Sequence, residues 1–332
     1  MSDVIQLGPE INNHISTVEF GAVERIVNPT EYDEVYFDEA LGIYTPPIEP
    51  SNLSNMIMAN SYHGAIIEAR ARIIAKDFIE NEYLSFTEFM YLAKDLVTFG
   101  QCGFQLFTNA FGNVKRLGHV PWQPMRKGKS NRFAKLNDET STLTWFKPNE
   151  VYHAKLYDPK QNIYGLPDYL SGLESALLSQ EATRFRRKYY LNGAHLGFIL
   201  YTTDPNMTPE VEEELANALR NSRGAGNFSS MLLNIPNGQE KGVQILPIGD
   251  IATKDEFSII KNISAQDVMV SHRFPPGLSG IIPAQGNMGD PTKYNQTYYE
   301  NEVRPMQKLL AGINQHVGKK IIQFENPFTA EN

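Results

Sequence analysis

One cysteine in 332 residues, Cys102, rules out a disulfide within the chain and suits a reducing compartment. It lies in Gly100-Gln101-Cys102-Gly103-Phe104, between apolar segments and with no base adjacent, so a buried, inert thiol is expected rather than a nucleophile. Long apolar runs are missing too. None approaches the ~20 residues that a membrane-crossing helix needs, and the first residues lack the basic start and apolar stretch of a secretory signal. A soluble protein made inside a cell is the expectation. There is also no surplus of positive charge. With 38 acidic against 30 basic residues the net charge is −8, whereas a protein that grips nucleic acid neutralises phosphates with Lys and Arg. The excess acid is local, since the first fifty residues carry ten Asp/Glu against Arg25 alone and the remainder is nearly neutral. The longest acid-free basic stretch, residues 115–135, holds Lys115, Arg116, Arg126, Lys127, Lys129, Arg132 and Lys135.

Familiar catalytic patterns are absent as well. Gly128-Lys129-Ser130 imitates the end of a phosphate-binding loop, but the glycine required five positions earlier is Gln123 and no helix follows. The histidines (His14, His63, His119, His153, His195, His272 and His316) lie far apart, and no two share a helix at metal-ligand spacing. Gly277-Leu278-Ser279-Gly280 is one residue short of a nucleophile elbow. Glu210, Glu212, Glu213 and Glu214 open a predicted helix, where negative charge is stabilising in any case. No catalytic residue, cofactor or metal is expected.

What is present is an ordinary folding composition, 41% hydrophobic and 20% charged, with enough apolar residues for a core that needs no metal. Prolines break residues 1–50 into short pieces. Helices are predicted over about 55–79, with Ile66, Ile67, Ile73, Ile74 and Phe78 on one side, and over 85–99, ended by Gly100. Between 103 and 158 the apolar period switches to that of strands: 104–108 and 114–120 as a hairpin, then 143–145 and 151–155. Pro167 suits the first residue of a long helix reaching Leu191, acidic early (Asp168, Glu174) and basic late (Arg184, Arg186, Arg187, Lys188). A strand-helix-strand-strand module follows, with strands 196–202, 230–235 and 243–247, the last two around the turn Pro236-Asn237-Gly238. A helix over 254–274 is stopped by Pro275-Pro276-Gly277, and a Gly/Pro-rich loop runs to Pro291. A last helix, 292–317, is predicted to be kinked by Pro305, with 321–324 as a closing strand.

Two stretches carry a resemblance. The first holds Asn149-Glu150-Val151-Tyr152-His153, Asp158-Pro159, Ile163-Tyr164-Gly165-Leu166-Pro167-Asp168-Tyr169-Leu170 and Arg186-Arg187-Lys188-Tyr189-Tyr190-Leu191-Asn192-Gly193-Ala194-His195. The second holds Ile260-Lys261-Asn262-Ile263-Ser264, Val270-Ser271-His272-Arg273-Phe274-Pro275-Pro276, Ile281-Ile282-Pro283, Gly289-Asp290 and Asn301-Glu302-Val303-Arg304-Pro305-Met306-Gln307. In this order, across about residues 85–315, the chain resembles the PBSX-type portal (head-tail connector) proteins of contractile-tailed temperate bacteriophages.

That resemblance implies an α+β portal fold. Its parts would be an acidic arm (1–54), a mixed α/β wing (55–165), a stem pair (166–192 and 253–274), a small α/β clip (193–252), a tunnel loop (275–291) and a kinked long helix (292–332) leading back to the wing, without a substantial crown. It implies a ring of about twelve copies at one capsid vertex of the virion, assembled in the host cytoplasm. Double-stranded DNA would pass through without sequence preference, in packaging and in ejection. The terminase large subunit would dock first and neck and tail proteins later, with the major capsid and scaffold proteins around; no membrane is involved. Ile282, Pro283, Ala284, Gln285, Gly286, Asn287, Met288, Gly289 and Asp290 would line the channel. Arg184, Arg186, Arg187 and Lys188 would face the lumen or a neighbouring subunit, and Glu210, Glu212, Glu213 and Glu214 would belong to the docking surface of the clip. Helices packed about 8–10 Å apart give a twelve-membered ring of axes roughly 31–38 Å across. Subtracting one helix width of about 10 Å leaves a bore of about 21–28 Å, and a duplex roughly 20 Å wide fits. The alternatives are another neck or head-completion ring protein, or an enzyme on a mixed α+β fold.

Overall fold

In the computed structural model, residues 32–137, 139–191, 198–202, 208, 213–214, 231–234, 243–247, 254–279, 291–325 and 327 are described. They fall into two units, taken here separately: Asn28–Arg186 with Ala252–Asn332, and one containing Arg187–Ile251.

The larger unit begins with a strap. Two-residue strands β1 (Phe37–Asp38) and β2 (Ile43–Tyr44) pair antiparallel, and α1 (Pro50–Ala59) starts at a proline, whose missing N–H costs nothing in a first turn. The helix expected over 55–79 is two helices. Asn60 adopts an extended conformation (φ −131°), and its side chain caps α2 (Ser61–Ala75) by accepting from the Tyr62 and His63 backbone N–H groups. Its amide also donates to the Ala176 carbonyl, so a tertiary contact favours the break. α2 buries Ile66, Ile67 and Ile74 against α3 (Phe86–Phe99), which Ser85 caps and a left-handed Gly100 ends, as predicted.

α3 lies on a sheet ordered β4-β3-β8, made of β3 (Gln101–Thr108), β4 (Val114–Val120) and β8 (Val151–Lys155), all antiparallel. Cys102 is fully buried on the central strand, and burial pushes its thiol well above the ordinary range. A second antiparallel sheet holds β5 (Met125–Lys127), β6 (Phe133–Asn137) and β7 (Thr142–Trp145). The strap lies over it: Ile43 bridges Gly128, and the Tyr164 hydroxyl donates to the Tyr44 carbonyl. Most of the basic stretch is thereby engaged. Arg126 pairs with Glu49 at 2.5 Å and Lys129 with Glu39 at 3.1 Å, while Arg116, Lys127 and Arg132 lie over the rings of Phe107, Phe133 and Trp145.

The long helix α4 (Leu173–Leu191) starts six residues later than Pro167, after a 3-10 turn at Leu170–Gly172. Residues 165–167 instead run without helix or strand into a turn at Asp168–Tyr169: the Gly165 N–H donates to Gln101, and Leu166 and Pro167 pack against Gly100. In the smaller unit, β9 (Phe198–Thr202) is central, parallel to β10 (Met231–Asn234) and antiparallel to β11 (Val243–Pro247). The two strands expected around the 236–238 turn therefore flank β9 rather than pair with each other.

Back in the larger unit, α5 (Lys254–Ser271) stops short of the Pro-Pro signal because Arg273 turns left-handed (φ 52°), and α6 (Pro276–Ser279) is a single turn. The last long helix is interrupted: α7 (Pro291–Tyr298), a π turn at Tyr299–Val303, α8 (Arg304–Ala311) and α9 (Ile313–Val317). Pro305 falls in the first turn of α8, so the expected irregularity lies on its N-terminal side. Phe324 forms an isolated bridge with Phe78 rather than a strand.

Gly100 tests this packing. Its φ is +68°, and an added Cβ would sit 2.1 Å from the Leu166 carbonyl carbon. Gly100→Ala is expected to cost more than about 3 kcal/mol of unfolding free energy, read by chemical denaturation. Gly112→Ala, at φ +78° but with nothing within 4 Å, is expected to cost only about 1 kcal/mol.

Candidate functional site

The densest polar cluster among the described residues lies where α2, the start of α4, the end of α5 and the π turn meet. Arg70 on α2 is 2% exposed and forks onto Asp168, Nη1 donating to Oδ1 at 2.9 Å and Nη2 to Oδ2 at 2.7 Å. Asp168 also accepts from Arg273 Nη2 at 2.6 Å, and Arg273 Nε donates to Glu302 at 2.9 Å. The four alternate in sign: Arg70, Asp168, Arg273, Glu302. Burial alone would raise the Asp168 carboxyl, but the hydrogen bond and charge of Arg70, with Arg273 beside it, hold it below the usual range. Burial likewise opposes the charge on Arg70, and Asp168 more than restores it.

Two buried histidines complete the cluster. Arg70 Nη1 lies 3.2 Å from His272 Nδ1, and His272 Nε2 lies 2.9 Å from His63 Nδ1. A guanidinium only donates, so His272 accepts at Nδ1, carries its proton on Nε2 and donates to His63. His63 is thereby protonated on Nε2, a buried atom without a hydrogen-bond partner. Tyr169 packs against both rings, at 4.7 and 4.8 Å between centroids, and donates its hydroxyl to the Thr98 carbonyl. Burial and then the Arg70 charge push His63 down to about 4, and the same causes push His272 down further. Both imidazoles are neutral, so the cluster fixes structure and offers no proton acceptor near neutrality.

The residues predicted from sequence are placed elsewhere. Arg184 is exposed and pairs with Glu181 at 2.8 Å; Arg186 is half-buried beside Ser179, Thr183 and Lys261; Arg187 is exposed. The side chain of Lys188 lies outside the described residues, as do Glu210, Glu212 and the whole of 282–290. Glu213 and Glu214 are helical and exposed. Arg70, His63 and Gly172 carried no sequence signal, since 202 and 209 residues separate Arg70 and His63 from His272. Gly172 admits Ser271, whose Oγ would lie 2.0 Å from a Cβ there. No group of three or more His, Cys, Asp or Glu suited to a metal occurs among the described residues, and none of their helices is long and apolar enough to cross a membrane.

Comparisons with known proteins bear on what this frame serves. A family model described as "Phage portal protein" matches residues 75–330. The "Probable portal protein" of Haemophilus phage HP1 (strain HP1c1) is 44% identical over 292 residues, covering 86% of this chain and 85% of the relative. That of Escherichia phage P2 is 36% identical over 284 residues, covering 85% and 83%. Among solved structures, the neck of an empty gene transfer agent particle aligns with a TM-score of 0.61 at 16% identity, over 90% of this chain and 87% of the other. An HK97 family phage portal protein from Corynebacterium diphtheriae aligns with a TM-score of 0.58 at 14% identity, over 82% and 95%. The two structural likenesses speak for the fold, and the two sequence relatives for the family.

The histidine pair gives a pH prediction. A histidine with its folded pKa pushed below the unfolded value contributes stability that is complete above about pH 6.5 and is lost as pH falls towards the folded pKa. Thermal unfolding followed from pH 7.5 to 4.5 is expected to show a loss on the order of 5 kcal/mol below pH 6.5, shared between the two histidines. In His63→Gln that slope is expected to flatten.

Proposed function

The chain belongs to the phage portal protein family, and we propose that about twelve copies form a ring at one capsid vertex through which double-stranded DNA enters and later leaves. In this reading α4 and α5 are the stem pair, the β9–β11 unit is the clip, and residues 282–290 line the channel. The terminase large subunit docks on the clip during packaging and neck and tail proteins replace it; capsid and scaffold proteins surround the ring. The work is conduction and docking, with no catalytic step.

The observation that carries the ring is an uncovered apolar row on α5. Ile259 and Ile263 are each 54% exposed and Val270 is 75% exposed. At about 100° per residue, their spacings of four and seven place all three within an arc of about 40°. Leu178, on the neighbouring α4, is 55% exposed. An aligned row of large aliphatic side chains facing water favours protein contact, and in a closed ring every copy covers the row of the next. The charge balance suits passage rather than retention. The chain is net acidic, and most cations of its longest basic stretch are engaged by carboxylates or aromatic rings. Carboxylates neutralise Arg126 and Lys129 there, and the net acidity of the whole chain is what favours sliding of a polyanion over its retention.

Native mass spectrometry and negative-stain microscopy of the purified protein are expected to show rings of about twelve with a central hole. Ile259→Lys with Ile263→Lys is expected to give folded monomers by circular dichroism; persistent rings would remove the α5 row from the interface. Deleting residues 285–288 is expected to leave rings intact while lowering DNA retention in particles at least several-fold, and wild-type retention would sink the channel role of that segment.

A further inference from the structure

We propose that residues 291–303 form a two-register helix switch, held in its present register by the Arg273–Glu302 ion pair. The proposal stands apart from the portal reading, because it rests on local geometry within the larger unit.

The π turn at Tyr299–Val303 holds one residue more than an α turn would, and the Arg304 N–H reaches back five residues to the Tyr299 carbonyl. Pro305, just beyond, has no N–H to offer the Asn301 carbonyl, so the usual four-residue bond is absent where the turn widens. Passing the extra residue out of the turn would rotate everything on its N-terminal side by about 100° and shift it by about 1.5 Å.

The two halves differ in what such a rotation costs. On the C-terminal side, Met306, Gln307 and Leu310 of α8 are buried, and the Gln307 amide donates to the Ile74 carbonyl on α2. That half is fixed. On the N-terminal side, every residue of α7 from Thr292 to Thr297 is exposed. Only Tyr298 and Tyr299, at the joint, are buried, Tyr298 meeting Phe274 edge-on at 5.5 Å. What that half would lose on turning is confined to the joint: the two tyrosine rings, the Tyr298 hydrogen bond with Arg70 and that of the Tyr299 hydroxyl to Gln307.

Two carboxylates lie at the joint, and Glu300, paired with the next-turn Arg304 at 2.6 Å, can follow it in either register; Glu302 is the one that ties the turn to the end of α5. Glu302 lies within the π turn and accepts from Arg273. A one-residue shift would bring Asn301 or Val303 towards Arg273, and neither carries a charge. The guanidinium is 48% exposed, against 2% for Arg70, so its bond to Glu302 is the rung of the ladder that water can reach and replace. Arg273 also sits in a left-handed conformation that a non-glycine residue adopts under constraint. The buried Arg70–Asp168 pair remains whichever register is taken.

The test uses pulsed dipolar EPR with spin labels at Asn295→Cys on α7 and Tyr91→Cys on α3, both exposed, diluted into unlabelled copies; Cys102 is buried and takes no label. The parent is expected to give one narrow distance. Glu302→Gln is expected to add a second discrete distance holding at least a tenth of the population. Deleting Asn301, which removes the extra residue, is expected to give the second distance alone. An unchanged single distance in Glu302→Gln overturns the proposal, and so does featureless broadening, which would mean local melting rather than a second register. If the deletion fails to fold, Glu302→Gln decides alone.

Discussion

The framework depends on a carboxylate held between two guanidiniums. Asp168 binds Arg70 in a fork and Arg273 from the other side, so one residue at the root of α4 ties together α2, α4 and the end of α5. Breaking a buried pair of this kind typically costs 3–5 kcal/mol, because the abandoned charge stays in low dielectric. The apolar core could collapse in several ways with similar burial. The geometry of a two-pronged, two-sided ion pair admits few, and it sets where the long helices spring from the sheets. The neutral histidines follow from it, since Arg70 forces the tautomer of His272 and His272 that of His63.

Elements governed by local chemistry were legible in the sequence. The helix expected over 85–99 is α3, with Gly100 ending it as expected and Ser85 serving as its cap rather than its first residue, and the hairpin of β3 and β4 followed from a change of period and a glycine-containing loop. Elements governed by distant partners were not. Asn60 divides one apolar pattern into two helices partly because the Ala176 carbonyl accepts its amide. Pro167 has the chemistry of a helix start, yet contacts with Gly100 and Gln101 hold its neighbourhood out of the helix. The cluster around Asp168 was invisible because its members come from four places in the chain, and buried arginine and histidine carry no periodicity. The family, by contrast, was readable from short fragments in order, which register a shared plan without saying what holds it together.

The described part of the acidic arm has a use that composition left open. Glu39 and Glu49 meet Lys129 and Arg126, and Ile43 bridges Gly128. Two carboxylates of the acidic tract thus meet two cations of the basic one within the same chain. On α5, Ile259, Ile263 and Val270 face outward together with the polar Asn262, Gln266 and Asp267, a mixed apolar and polar face of the kind that self-associating surfaces use.

The roots of α4 and α5 are pinned to each other by Ser175 hydrogen-bonded to Asp267 and by Gly172 against Ser271. Those contacts lie wholly inside the larger unit, on residues that flank the 187–251 segment in sequence. Loop-closure entropy grows only with the logarithm of length, so the framework is nearly indifferent to how many residues make that excursion.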